Sequence, residues 1–175
     1  YKSPADIPNG AVVGVANDPV NQARGLALLQ AVGLIQLKPG VGAKATVNDV
    51  AANPRKLKIV EIEGPQLVRA LDDMALAQGY PEHFISAGQV ELAGQALRYT
   101  TADDVYYAIR FVARSDRKSD PRIQQFIHRY QTSAAVDRQI KASYSGNDKL
   151  YALPWRNAPS ASPGAAASAD TRASK

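Results

Sequence analysis

A chain of 175 residues, 45% hydrophobic and 21% charged, is long enough for one domain or slightly more, and its balance excludes a disordered polymer. The net charge of +5 is spread along the chain with no aromatic-interleaved basic run, so a nucleic-acid partner is not expected. The lack of cysteine removes disulfides, thiolate catalysis and zinc–thiolate sites together, and no apolar run is long enough to span a bilayer.

The chain opens without an initiating Met, a charged n-region or an apolar h-region, and so reads as a processed or excised piece. Residues 1–9 form a polar lead-in, with Pro4, Pro8 and Asn9-Gly10 as turn chemistry. The apolar run 11–16 predicts a buried strand. A helix follows: Asn17 or Asp18 caps it, Pro19 sits where a missing N–H costs nothing, and Gly33 is a natural stop. Within it Asn17, Asn21 and Arg24 fall at i, i+4 and i+7, so two amides and a guanidinium share one stripe near the positive end of the helix dipole. That is a seat for a carboxylate or phosphate. The same pattern also fits an Arg paired with a neighbouring lobe or solvated at the surface.

Residues 34–37 are a short apolar segment ended by Lys38-Pro39-Gly40. The loop 40–46 resembles a phosphate cradle only in its glycines: Lys44 follows Ala43, and Ala45 stands where a dinucleotide fingerprint needs Gly, so it reads as a turn. Thr46 predicts a capped helix through residue 52, and 57–63 alternates as a strand. Gly64-Pro65 starts a helix to about residue 71, with 74–77 a short strand and 80–88 a helical turn or two. Strands are expected at 96–99 and 105–114. Asp120-Pro121 repeats the cap-plus-proline device and begins a helix whose apolar face is Ile123, Phe126, Ile127 and Tyr130. Ser133 caps a last helix with Val136, Ile140 and Tyr144 inward, and 150–155 is an apolar closing segment. Residues 157–175, rich in Ala, Ser, Pro and Gly, have nothing to bury and are expected to be disordered.

Strands alternating with helices at this spacing predict an α/β fold, with a parallel or mixed sheet covered on both faces. Ligands in such sheets sit at the C-terminal ends of strands, where Asn17 and Gln78-Gly79-Tyr80 would lie. Catalytic chemistry finds no support. His83 and His128 lie on separate elements; Glu82-His83 admits an acid–base pair but equally a pocket-wall or surface histidine. Asp72-Asp73 and Asp103-Asp104 are adjacent pairs that tend to point apart, and no Gly-x-Ser-x-Gly elbow occurs. Tyr106 and Tyr107 could line a pocket, although strand neighbours usually split between core and surface. The chain is not expected to be an enzyme.

Several short segments in order carry a resemblance. Residues 1–10 (YKSPADIPNG), 17–29 (NDPVNQARGLALL) and 31–37 (AVGLIQL) resemble the NlpA-type lipoproteins, methionine-type substrate-binding components of bacterial ABC importers. The match continues through Gly40-Val41-Gly42, Ala45-Thr46-Val47, residues 53–58 (NPRKLK) and 66–73 (QLVRALDD). It returns weakly at residues 111–114 (FVAR) and at Asp120-Pro121-Arg122. The resemblance implies a type II periplasmic-binding-protein-like fold, two α/β lobes closing on an amino acid. It also implies that the Arg of an Asn-x-x-Arg motif, here Asn21 to Arg24, holds the ligand carboxylate.

Three departures shape what is expected. The chain begins beyond the family's N-terminal lobe segment and its lipidated cysteine; Tyr80-Pro81-Glu82 stands where the family has Asn-Gly-Asn; and Ile109 stands where a ligand-facing Asn is usual. The expected division is thus 1–104 as the second, C-terminal-type lobe, 105–156 as a return segment of strand and two helices completing the first lobe, and 157–175 as a tail. The implied ligand set is Arg24, Asn21 and Asn17, with Tyr80 and Glu82 replacing the amide readers. No cofactor or metal is implied. The implied partners are a small amino-acid-like carboxylate and a permease–ATPase complex. The implied place is the periplasm or cell envelope, lipid-anchored if full length. The alternative is a divergent homologue without ligand, acting as a structural or protein-binding module.

Overall fold

The computed structural model describes residues 1–101 and 104–157. At its centre is β1 (Val12–Ala16), hydrogen-bonded in parallel to β4 (Lys58–Ile62) on one side and β5 (Leu76–Ala77) on the other. The register runs from Val12 opposite Lys58 to Ala16 opposite Ile62, and pairs Val13 with Leu76 and Gly14 with Ala77. A central parallel strand is covered on both faces, which is why β1 is an unbroken apolar run rather than an alternating one.

Helix α1 (Pro19–Ala31) packs on the Val13 and Val15 face of β1, burying Ala23, Leu26 and Leu29 in the same core. Side chains alternate along a strand, so Gly14 faces the other way, where Leu67 of α2 (Gly64–Arg69) and Met74 close over it. Helices therefore cover both faces. Gln22 is the buried polar residue of α1, and its Nε2 donates to the Ala16 carbonyl (3.2 Å) and to Glu61 Oε2 (2.6 Å), tying α1 to the ends of β1 and β4. Gly33, at φ +75°, turns the chain out of the helix, and the N–H of Leu34 donates back to the Leu29 carbonyl.

A separate antiparallel pair, β2 (Gln36–Leu37) with β3 (Val50–Ala52), extends the core at one edge. Here the helix expected over 46–52 does not form. One 3-10 turn, Val47–Asp49, is closed by Asp49 Oδ2 accepting from the Thr46 N–H and hydroxyl, and the chain then leaves as β3. Pairing with β2 outweighs the weak helix propensity of Val47, Asn48 and Val50.

After β5 come α3 (Pro81–Ser86) and α4 (Val90–Ala93), which bury Phe84 and Ala93 against Val68 and Leu150. The strands expected at 96–99 and 105–114 are also absent. Residues 96–101 are irregular, Val105–Tyr107 is a 3-10 turn, and 108–114 run without a ladder. Ile109 is 86% exposed and Val112 93%, so their β-branched content meets no partner strand. Helices α5 (Pro121–Thr132) and α6 (Ala134–Ser143) form as the caps at Asp120 and Ser133 predict, and α7 (Pro154–Asn157) closes the described chain. Neither α5 nor α6 buries a residue fully: Ile123, Ile127 and Tyr130 are half-covered and Phe126 is exposed. The tail expected to be disordered lies outside the described residues apart from Asn157, which ends α7.

Candidate functional site

The site starts at the C-terminal end of β1. Asp18 accepts the Asn21 N–H at 3.0 Å and caps α1, and Pro19 fixes the first turn. Burial acts to raise the Asp18 pKa, but hydrogen bonds from the Asn21 backbone and side chain outweigh it and hold the carboxyl below its ordinary value. With the helix so anchored, Arg24 projects from its second turn into a cavity of about 990 Å³. Its guanidinium carbon lies 4.5 Å from the centre of the Tyr107 ring and 5.8 Å from that of Tyr80. One terminal nitrogen donates to the Tyr107 carbonyl at 3.0 Å. The Nε is buried and has no partner among the described residues.

Tyr80 reaches the cavity because it precedes Pro81 of α3, three residues past the end of β5, near the C-terminal edge of the sheet. Tyr107 arrives from the 3-10 turn at Val105–Tyr107; burial raises its phenol pKa, against the pull of the nearby Arg24 cation. Tyr144 and Trp155 add aromatic wall from α6's end and α7. Burial pushes the Tyr144 hydroxyl up to about 12, with the Tyr80 hydroxyl and the Glu82 carboxylate adding to the effect. The cavity is thus aromatic and of ligand size, lined by Arg98, Arg110 and Lys149 as well as by Arg24, whose buried Nε is an unused donor. Such an arrangement can hold a carboxylate side-on across the Nε and an adjacent terminal nitrogen.

Of the residues singled out from sequence, the structure brings Arg24 and Tyr80 together in this cavity. Asn17 is exposed beyond the end of β1, its N–H donating to the Ile62 carbonyl. Asn21 spends its amide on both Asp18 oxygens, at 3.2 and 3.0 Å. Glu82 is exposed on the first turn of α3, outside the cavity lining. Most of the lining lies outside the expected set, Tyr107 and Gln78 included. Tyr107 had a signal only as a possible pocket aromatic, and Gln78 only as a residue at a strand's C-terminal end.

Comparison with known proteins shows the family and the fold. The family model described as NlpA lipoprotein matches residues 1–151. The D-methionine-binding lipoprotein MetQ of Yersinia pestis is 40% identical over 147 residues, covering 83% of this chain and 54% of its own. A periplasmic substrate-binding protein of an ABC transporter from Coxiella burnetii superposes with a TM-score of 0.71 at 37% identity, over 83% of this chain and 60% of that one. A nutrient binding protein from Burkholderia cenocepacia, solved bound to methionine, gives a TM-score of 0.67 at 34% identity, over 84% and 61%. The chain spans about half the length of the curated relatives it matches. Its α/β fold is that of periplasmic substrate-binding proteins, and the chain belongs to the NlpA lipoprotein family.

Proposed function

We propose that this chain is the solute-binding component, or part of one, of an ABC importer for methionine or a closely related amino-acid-like carboxylate. The observation that carries the reading is the Arg24 guanidinium, clasped by Tyr80 and Tyr107 with a buried, unpaired Nε facing an aromatic cavity. A carboxylate there gains a charge-assisted fork beside the start of α1, and aromatic faces suit an apolar or thioether side chain. The ligands after which these relatives are described support the same solute class. On this reading the chain acts at the periplasmic face of the cell envelope, delivers its solute to a permease–ATPase pair, and performs no chemistry on it. Residues 1–104 then serve as the second lobe and 105–156 as the return segment. The shallow burial of α5 and α6 favours that division.

Calorimetry on the full chain tests it, with L-methionine, D-methionine and the decarboxylated analogue 3-(methylthio)propylamine. Binding of at least one methionine enantiomer is expected, and none of the amine. Arg24→Ala is expected to remove that binding, a loss of about 2–5 kcal/mol for a desolvated charge pair. Tight binding of the amine, or unchanged affinity in the variant, overturns the assignment of Arg24. A chain serving only as a structural module would bind none of the three.

A further inference from the structure

A second unpaired polar atom belongs to a residue that lines the same cavity. The Oε1 of Gln78 is buried and has no partner, and it does not pair with the Arg24 Nε, which is equally unpaired. Gln78 is the first residue after β5, and its N–H donates to the Gly14 carbonyl at 2.9 Å, so its backbone is fixed by the central strand. Its side chain lies on α1 at Gly25, the neighbour of Arg24: a Cβ there would stand 3.0 Å from Gln78 Cγ and 3.2 Å from Oε1. The helix gives up a side chain at that one point and the glutamine amide fills the notch. The cavity therefore presents a cationic donor and a neutral acceptor from adjacent positions on one helix surface.

We infer that Gln78 is the specificity residue for the solute's amino group, its Oε1 accepting an ammonium hydrogen while Arg24 holds the carboxylate. This rests on the solute-binding reading above. An unmet buried donor and an unmet buried acceptor on two residues of one cavity are each costly, and a single zwitterionic α-amino acid would satisfy both. A carboxylic acid of the same shape without the amine leaves Oε1 unpaired, so the pocket rejects it. Selectivity for amino acids over plain carboxylates is thereby separated from carboxylate binding: Gln78 governs the first and Arg24 the second.

The test compares each methionine enantiomer with 4-(methylthio)butanoate, the des-amino acid, by calorimetry on the full chain and on Gln78→Met, a variant of similar length and volume. The wild-type chain is expected to favour the better methionine enantiomer by about 10- to 100-fold, the worth of one hydrogen bond to a charged group. In Gln78→Met that ratio is expected to fall to about threefold or less, with affinity for the des-amino acid little changed. An unchanged ratio overturns the role of Gln78 and leaves the solute-binding reading standing. Absence of binding by either methionine to the wild-type chain overturns both. A second readout needs no variant: the side-chain amide resonances of Gln78 should shift on adding the amino acid and not on adding the des-amino acid. Equal shifts with both ligands, or none with either while binding occurs, also remove the assignment.

Discussion

Arg24 shows how a residue's neighbours decide what it can do. Its charge is half-covered, stacked on aromatic faces and partly satisfied by the Tyr107 carbonyl, and its buried Nε–H is left without a partner. Lysine in its place would keep the charge but lose the planar stack and the fork, so Arg24→Lys should fail to restore carboxylate binding in the calorimetric assay. Gly25 illustrates the opposite economy, an absence that makes room. Gly25→Ala would gain up to about 1 kcal/mol of helix propensity but push against Gln78, a flexible side chain able to move. The expected outcome is a melting temperature within a few degrees of the parent and a lower preference for amino acid over des-amino acid. A steep loss of stability would show that the amide cannot yield. Gly79 has no such latitude. A Cβ there would stand 2.1 Å from a ring carbon of the buried Phe84, and Gly79→Ala should cost about 1–3 kcal/mol in denaturant unfolding. Of these residues, Arg24 was legible in sequence because the strand, cap, proline and helix that aim it are contiguous. Tyr107 lies 83 positions away and is recruited by tertiary packing alone, which no local pattern encodes.

At the scale of the element, α1 sets the terms. Its cap and its packing contribute differently, and substitution should separate them. Asp18→Ala removes a cap worth about 1 kcal/mol, whereas Leu26→Ala empties a fully buried position and should cost about 2–5 kcal/mol. Both are read from denaturant midpoints, and equal losses would contradict the view that burial outweighs capping here. The cap also has a pH signature. Its folded pKa is depressed, so its stabilisation is fully present above the unfolded carboxyl value near 3.8 and is lost as pH falls through the lower folded value. Asp18→Ala should therefore flatten the acid limb of the stability profile and leave its shape near neutrality unchanged. The elements that sequence foretold, β1, α1, β4, α5 and α6, each carry their own caps or periodicity. The strands expected at 96–99 and 105–114 carry β-branched and aromatic residues too, but a strand exists only with a partner, and these segments have none. The same reason converts the helix expected at 46–52 into β3, where a partner is present.

Across the whole molecule, burial is unevenly distributed. The core that joins β1, α1 and their neighbours runs from Ile7 to Leu57; on the opposite sheet face Leu67 closes over Gly14, and Val68, Phe84, Ala93 and Leu150 form a second, smaller core. From residue 104 to 157, among residues whose burial is described, only Leu150 is buried. Apart from Leu150 and Tyr144 in the smaller core, that segment is held mainly by ring contacts, with Phe111 edge-on to Phe126 at 5.3 Å and to Tyr130 at 5.0 Å, and Tyr130 against Trp155 at 6.0 Å. Such pairs add about 0.5–1.5 kcal/mol each beyond the area they cover, less than the aliphatic core supplies through burial of whole side chains. Local opening should follow this gradient, because an amide's protection measures the cost of exposing what surrounds it. In native-state hydrogen exchange at neutral pH, amides of β1, β4 and the middle of α1 should exchange only by the most costly openings. Those of α5 and α6 should exchange far sooner, although both are regular, well-capped helices. Helical hydrogen bonding alone does not distinguish α1 from α5; the buried face does, and the two helices are nearly the same length, 13 residues against 12. Equal protection in the two would mean that the aromatic contacts around Phe126 and Tyr130 carry as much stability as the aliphatic core, and the gradient argued from burial would be wrong.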